Sequence, residues 1–378
     1  MARNTFTFLE FFAGGGMARI GLGRRWRCAF ANDFDAAKRA AYGENFGLDH
    51  HRGGDIHALA LDALPAGVAD LAWASSPCQD LSLAGARAGL GGGRSGAYFG
   101  FWRLIERLDD DSRAPRTLII ENVTGLITSN GGADFTGVVE MLAARGYVVG
   151  AIVVNAACFV PQSRPRLFVI AWRDGPPPGV TSTDAPGPSE HLPAALMDNA
   201  ARLSPTARRR WRWLTPRPPA RRNLALADII DPAAPFDDDA DTQRLVAAMS
   251  ERQRAIVRAR AEAGGRHVGA AFRRVRVENG QKIIRIEARF DDLAGCIRTP
   301  AGGSSRQIIF VIVDGKVRTR LMTPREAARA MGLDDDYRLP AGATAALKLI
   351  GDGVCPPVVG WLAQTFVEPA LVRTRLAA

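Results

Sequence analysis

The sequence predicts an α/β fold: a mostly parallel sheet covered on both faces by helices, with a smaller basic segment inserted before the last helices. Three observations carry this. Short apolar runs alternate with helical patterns over roughly the first 175 residues. A stretch dense in Pro and Gly then interrupts the alternation, and the pattern behind it changes. The charge excess is concentrated behind that interruption, between two near-neutral flanks.

The apolar runs at 5–12, 27–32, 69–75, 117–122, 148–155 and 166–172 read as strands, and 35–46, 97–108 and 133–145 as helices. Strands of four to eight residues joined by helical crossovers imply parallel pairing. Residues 174–193 read as a linker. Beyond it a helix is expected around 241–263, and FRRVRVENGQKIIRIEARF (272–290) reads as a hairpin turning at Asn279-Gly280. A second hairpin, 307–321, turns at Asp314-Gly315. Helices return at 324–333 and after Pro356-Pro357. The expected division is 1–175 as the first part of a catalytic and ligand-binding domain, 176–320 as an inserted domain with its linker, and 321–378 as helices returning to the first domain.

Composition narrows the function classes. The 378 residues are 47% hydrophobic and 23% charged, as in a soluble globular protein. No stretch approaches the ~18 uncharged apolar residues of a membrane span. The N-terminus lacks a basic region leading into an apolar run, so a cytoplasmic protein is expected. The five cysteines (Cys28, Cys78, Cys158, Cys296, Cys355) contain no CxxC pair, which argues against a disulfide framework and against a metal site. Residues 1–175 carry 18 basic and 17 acidic groups, 176–320 carry 25 and 16, and 321–378 carry 6 of each. A coding preference for Arg explains why only four cations are Lys, but not why the excess is local. A local excess points to a polyanion.

Several constellations carry chemistry. Gly14, Gly15 and Gly16 follow the first strand and open a helix, so backbone amides can approach a ligand closely; a plain tight turn would use glycines too. Asp33 ends the second strand, where ribose hydroxyls are held in nucleoside sites; its plain alternative, a helix cap, is better filled by Asp35. Cys78 lies just past the 69–75 strand, at the edge where open α/β sheets place ligands, before the glycine-rich stretch 84–96. A lone cysteine is usually a small buried hydrophobe, but at a strand tip it is a nucleophile candidate. Glu121 ends an apolar strand and is costly there without a partner or a task. Arg164 and Arg166 precede the next strand, ready for a phosphate or carbonyl oxygen.

FFAGGG, PCQ, ENV, QSRPR, TPREAARAMG and a Gly-x-x-Val helix start occur in that order. The chain thereby resembles the bacterial DNA (cytosine-5) methyltransferases over 5–175 and 295–368. The resemblance implies a Rossmann-like, S-adenosyl-L-methionine-dependent sheet with a small target-recognition domain lying where the charge excess was counted. It implies Cys78 as the nucleophile that adds to carbon 6 of a flipped-out cytosine, Glu121 as the acid at ring nitrogen 3, Arg166 at the carbonyl oxygen and Arg164 in support. For the cofactor it implies Phe12, Ala13, Gly14, Gly15, Gly16, Met17, Asp33, Phe34, Asp55, Ile56, Pro77, Tyr98, Asp352 and Val354, with S-adenosyl-L-homocysteine as product. Ser82 and Arg94, in the segment that would close on DNA, are expected DNA contacts. Arg274 and Arg276 are expected to form an exposed basic strand face on the DNA while Val275 and Val277 pack inward.

Two departures stand out. Asp352 occupies a position usually held by Asn, which puts cofactor affinity in doubt, and Cys296-Ile297 replaces the usual Thr-aliphatic pair. The implied partner is duplex DNA, with the enzyme monomeric and beside the nucleoid. A restriction endonuclease acting on the same site without a stable complex is a candidate partner. Three rival readings are an RNA cytosine methyltransferase, which lacks so large an insert, a DNA-binding relative that has lost catalysis, and a nicotinamide oxidoreductase. The retained Cys78, Glu121, Arg164 and Arg166 oppose the second, and the missing GxGxxG spacing opposes the third.

Overall fold

The structure is a computed structural model in which residues 6–76, 96–278, 280–299 and 306–377 are described. It forms two compact units: one of Met1–Asn155, Pro165–Pro219 and Val354–Ala378, the other of Ala156–Arg164 and Ala220–Gly353.

The first unit is built on β1 (Phe6–Phe11), α1 (Met17–Leu22), β2 (Trp26–Asp33), α2 (Ala36–Phe46), β3 (His51–Gly53), β4 (Leu71–Ala74), α3 (Ala97–Asp110), β5 (Thr117–Val123), α4 (Ala133–Ala144), β6 (Val148–Asn155) and β7 (Pro165–Trp172). The seven strands lie in the order β3-β2-β1-β4-β5-β7-β6. All neighbours pair in parallel except β7, which runs antiparallel to β5 and β6. The central strands are apolar along their length because both faces are covered. Strand β3, only three residues long, is the one the alternation did not announce.

The segment after the linker was expected to open the inserted domain, but its first part belongs to this unit. β8 (Thr181–Ser182) pairs with β9 (Trp213–Leu214), with α5 (Ala194–Ala201) and α6 (Pro205–Arg210) between them. Leu196, Ala207, Trp211 and Trp213 share one buried cluster with Phe135 and Val149. That burial, worth about 1.5–3 kcal/mol per large apolar side chain, outweighs the polar composition of the surrounding stretch.

The second unit holds α7 (Leu226–Ile229), α8 (Asp239–Ala247), α9 (Glu251–Glu262) and four antiparallel strands, β10 (Arg266–Glu278), β11 (Gln281–Arg289), β12 (Ile308–Val313) and β13 (Lys316–Leu321), in the order β11-β10-β12-β13. The single helix expected at 241–263 is two, because Ser250 starts a second one by accepting a bond from the Gln253 amide. The Asp314-Gly315 hairpin forms as expected, both residues having positive φ; Asn279 of the other turn lies outside the described residues. Met249 and Val257 pack on Ala271, Ile286, Phe310 and Ile312, covering one face of the sheet.

α10 (Pro324–Ala330) and α11 (Ala343–Asp352) also fall in this unit rather than returning to the first. The TPRE motif shows why. Thr323 and Glu326 form a capping box at the start of α10, and Glu326 is wholly buried against Arg320 at 2.7 Å. Burial alone would raise the Glu326 carboxyl; the Arg320 guanidinium and the amides of Thr323 and Asp231 hold it below its ordinary value. The return to the first unit starts with α12 (Pro356–Leu362) and ends in α13 (Glu368–Ala377). A side chain at Gly21 would lie 2.4 Å from the Pro356 carbonyl, so only glycine lets α1 and α12 approach. Trp26 donates to Glu368 at 2.9 Å, and Arg375 pairs with Asp70 at 3.0 Å. The run Ala343–Leu376 is long and apolar enough to cross a membrane by composition, but its most apolar window is 61% buried within the protein, as a core helix is.

Candidate active site

In the large sheet the connection order reverses between β1 and β4: β2 and β3 lie to one side, β5 to the other. Ligands of open α/β sheets bind outside the carboxyl ends of the strands at such a reversal. The chain leaves β1 through Phe12, Ala13 and the three glycines. Phe12, Gly14 and Gly16 all have positive φ, and the Ala13 amide donates to the Asn32 carbonyl at 2.9 Å. The glycines are not equivalent. A side chain at Gly16 would lie 2.4 Å from the Phe46 ring, whereas one at Gly14 would meet nothing within 4 Å among the described residues. Gly16 serves packing; no described residue crowds Gly14, as suits a backbone that receives a ligand. Gly15 and Met17 are buried where the loop enters α1.

Asp33 closes this loop from the next strand. Its Oδ2 accepts from the Gly14 amide at 2.7 Å and its Oδ1 from the Asp35 amide at 2.8 Å. Burial raises the Asp33 carboxyl, and those two amides pull it back. Each oxygen keeps a lone pair for a hydroxyl. Phe34 beside it is 78% exposed, an unusual setting for so large an apolar ring. Asp55 caps the short turn 56–58 through the His57 amide at 2.9 Å, and Ile56 is buried behind it. Tyr98, at the start of α3, is fully buried, and its hydroxyl has no partner among the described residues.

The second cluster lies at the end of β5. Val123 pairs with Arg166 across to β7, so Arg166 reaches Glu121 diagonally on the same face, Nε to Oε1 at 3.2 Å. Both side chains are largely buried. Asn122, between Glu121 and Val123, turns the other way and donates to the Ser76 carbonyl at 3.2 Å. Asn122 thus fixes the residue two positions before Cys78. The sequence reading gave Asn122 no role; its place in the ENV motif was the available signal. Pro77, Cys78, Ser82 and Arg94 lie outside the described residues.

Arg164 is built differently from the expected support for the substrate. In the second unit it is 3% exposed and donates to the carbonyl oxygens of Ile297 at 2.7 Å, Gly351 at 2.9 Å and Gly353 at 2.7 Å. It pins the end of α11, which carries Asp352, a positioning role. Gln162 works alongside, accepting from the Ile297 amide at 3.0 Å. Asp352 is exposed and accepts a hydrogen bond from the Thr299 hydroxyl. Val354 is buried in the first unit.

The sequence reading also missed Glu10, an acid inside the central strand β1 and 1% exposed. Burial pushes its carboxyl up to about 8, against the pull of Arg19 and the amides of Arg19 and Ala18. Its Oε2 has no partner among the described residues. The reasoning that singled out Glu121, an acid in an apolar strand, applied equally here.

The expected hairpin forms, with a correction. Arg274 and Arg276 are exposed, yet both pair with Glu287 of β11, Arg276 Nε lying 2.7 Å from Oε1. Val275 and Val277, expected inside, are 56% and 69% exposed. They lie on the face that α8 and α9 cover near Ala271, but β10 outruns those helices.

Comparison with known proteins gives the family and the fold. A family model described as C-5 cytosine-specific DNA methylase matches residues 6–368. The type II methyltransferase M.HpaII of Haemophilus parainfluenzae is 26% identical over 97% of this chain and 90% of its own length. M.BsuFI of Bacillus subtilis is 24% identical over 97% and 73%. Among solved structures, the S. pombe Dnmt2 methyltransferase superposes with a TM-score of 0.59 at 15% identity, covering 98% of this chain and 99% of that one. The fold is that of these methyltransferases.

Proposed function

Because the chain belongs to the C-5 cytosine-specific DNA methylase family, and is therefore a DNA cytosine-5 methyltransferase, we propose that it methylates a flipped-out cytosine in duplex DNA through a covalent adduct with Cys78. The observation that carries the reading is the Glu121–Arg166 pair at the carboxyl edge of the sheet, next to the Asn122–Ser76 bond from which the chain runs on to Cys78.

The residues around the glycine loop fit S-adenosylmethionine. No described residue crowds Gly14, Asp33 keeps lone pairs for ribose hydroxyls, Phe34 offers an aromatic face, and the buried Tyr98 hydroxyl has no partner among the described residues. Phe12, Ala13, Gly15, Gly16, Met17, Asp55, Ile56, Pro77, Asp352 and Val354 complete the proposed set. When bound, S-adenosylmethionine supplies the electrophilic methyl group.

Carbon 5 of cytosine is a poor nucleophile until something adds at carbon 6. The Cys78 thiolate forms that bond. Glu121, acting at nitrogen 3, lets the displaced electron pair settle on the ring, and Arg166 stabilises charge at the carbonyl oxygen. After carbon 5 is methylated, its proton departs and the Cys78–carbon 6 bond breaks, restoring the aromatic ring and the thiolate. A base inside a duplex cannot reach these groups, so it must be extruded, at a cost of a few kcal/mol. The duplex-facing surface is proposed to come from residues 176–320. The type II relatives favour a restriction endonuclease of the same site as a functional partner, and a monomeric state is part of the same proposal.

A duplex carrying 5-fluorocytosine at the target tests the adduct, because fluorine cannot leave as a proton does. The wild-type protein should be trapped covalently, and Cys78→Ala should bind DNA but neither trap nor transfer. Methyl transfer by Cys78→Ala would refute the mechanism. RNA of the same sequence, assayed in parallel, should not be methylated.

A further inference from the structure

Strand β10 pairs with β12 only as far as Ala271, and beyond that point β11 is its one partner among the described residues. The rest of the two strands, as far as Glu278 and Gln281, is a ribbon with two faces, and alternation assigns each residue to one of them. Arg274 pairs across with Arg285 and Arg276 with Ile283, placing all four on one face, together with Glu287. Val275 pairs with Ile284, Val277 with Lys282 and Arg273 with Ile286, placing these on the other. The first face holds its own counter-ion: Glu287 engages both Arg274 and Arg276. The second face contains no acid, and it exposes Val275, Val277 and Ile284, the last 55% accessible.

Two features of this second face call for a partner. Three neighbouring β-branched side chains in water are costly, by about 25 cal/mol per Å² of apolar surface. Cations at Arg273 and Lys282 flank them, with no carboxylate on the face to offset their charge. A surface apolar in the middle and cationic at its margins complements a groove of duplex DNA, where phosphates line the rims and base edges form the floor. Ribbon strands lie about 4.8 Å apart, which suits a major groove about 12 Å wide and not a minor groove of about 6 Å. In the major groove the apolar counterpart is the 5-methyl group of thymine.

We propose that the acid-free face of the β10–β11 ribbon, bearing Arg273, Val275, Val277, Lys282 and Ile284, is the surface that seats in the major groove of the target duplex, its cations on phosphates and its branched side chains against thymine methyl groups. This inference rests on the reading of the chain as a duplex-DNA methyltransferase, and it replaces the Arg274–Arg276 face that alternation alone favoured.

The test uses the full chain and a duplex pool methylated to completion, with sites read by bisulfite sequencing and affinity measured against salt. Each lost phosphate contact lowers the slope of log affinity against log salt by about 0.9. R273Q/K282Q should lower it by up to about 1.8, and R274Q/R276Q by less than half as much. V275S/V277S should keep the slope but relax the preference for thymine near the methylated cytosine. The reverse ranking of the two charge variants, or no change in any of the three, overturns the proposal. So does a wild-type dimer in sedimentation that V275S/V277S converts to monomer with its site preference intact, since the face would then hold a second copy. Thermal midpoints check folding, and if the valine variant unfolds, the two charge variants still decide. A wild-type protein that neither binds nor methylates duplex DNA refutes the enzyme reading itself.

Discussion

Two places in this molecule set a glutamate against arginine on an adjacent antiparallel strand. At the carboxyl edge of the large sheet, Glu121 of β5 meets Arg166 of β7, with side chains 10% and 17% accessible. On the ribbon, Glu287 of β11 meets Arg274 and Arg276 of β10, whose side chains are 52% and 47% accessible. The residue types and the cross-strand reach are alike; the surroundings are not. Water screens the ribbon pairs, which as exposed pairs are worth about 0–1 kcal/mol each. At the sheet edge little water intervenes, so the carboxylate and guanidinium are fixed groups that act strongly on anything placed between or beside them. The difference teaches that an ion pair marks a working site only where burial holds it still. On the ribbon it marks the face whose charge is already answered.

The largest effect should come from breaking the buried member. Glu121→Gln keeps the size and one hydrogen-bonding oxygen but cannot carry the charge that cytosine activation needs. Single-turnover methyl transfer should slow by about 10²- to 10⁴-fold, with S-adenosylmethionine affinity, measured by calorimetry, unchanged. A loss below tenfold would mean that the Glu121–Arg166 pair is architectural, and the contrast with Glu287 would collapse.

A third glutamate sharpens the contrast. Glu10 is buried more deeply than Glu121, and burial pushes its carboxyl up to about 8 against the charge of Arg19 and the amides of Arg19 and Ala18. A folded-state value above the ordinary 4.5 means that the native protein keeps a proton the unfolded chain releases. Its contribution to stability is complete below about 4.5 and is lost as pH rises to about 8, by at most about 1.4 kcal/mol per pH unit. Urea unfolding of the wild type should therefore weaken across that window relative to Glu10→Gln. Parallel curves for the two proteins would show that Glu10 is ionised in the folded state.

These three residues also measure how much of the fold and the site was legible in the sequence. The parallel sheet was readable because its strands are continuous apolar runs, and Glu121 because a carboxylate at the end of such a run is conspicuous. Glu10 sits in an equally apolar run, but the glycine loop beside it gave the stretch a sufficient explanation. Arg164 and Arg166 are two residues apart and chemically identical, so nothing local says that one meets a carboxylate while the other clasps three carbonyl groups. That depends on chain far away in sequence. The boundary of the inserted domain failed for the same reason: Trp211 and Trp213 follow a polar linker, yet pack on residues some sixty positions earlier. Alternation on the ribbon was read correctly, but it cannot say how far the covering helices extend.

The smallest effect should come from the exposed member, and it bears most directly on the ribbon. Glu287→Gln removes the anion shared by Arg274 and Arg276 without altering shape. Because the pairs are exposed, the thermal midpoint should move by the equivalent of less than about 1 kcal/mol. The consequence for DNA depends on which face meets it. With the acid-free face in the groove, the two freed arginines point elsewhere, and the salt dependence of binding should stay within about half of one phosphate contact of wild type. With the arginine face on the DNA, Glu287 has been competing with phosphates for both guanidiniums, and its removal should steepen the slope by about 0.9 for each arginine released. A steeper slope together with tighter binding at low salt would return the duplex to the Arg274–Arg276 face. An unchanged slope would mean that Arg274 and Arg276 do not reach the duplex even when freed of their counter-ion, and would leave the acid-free face as the one that meets it.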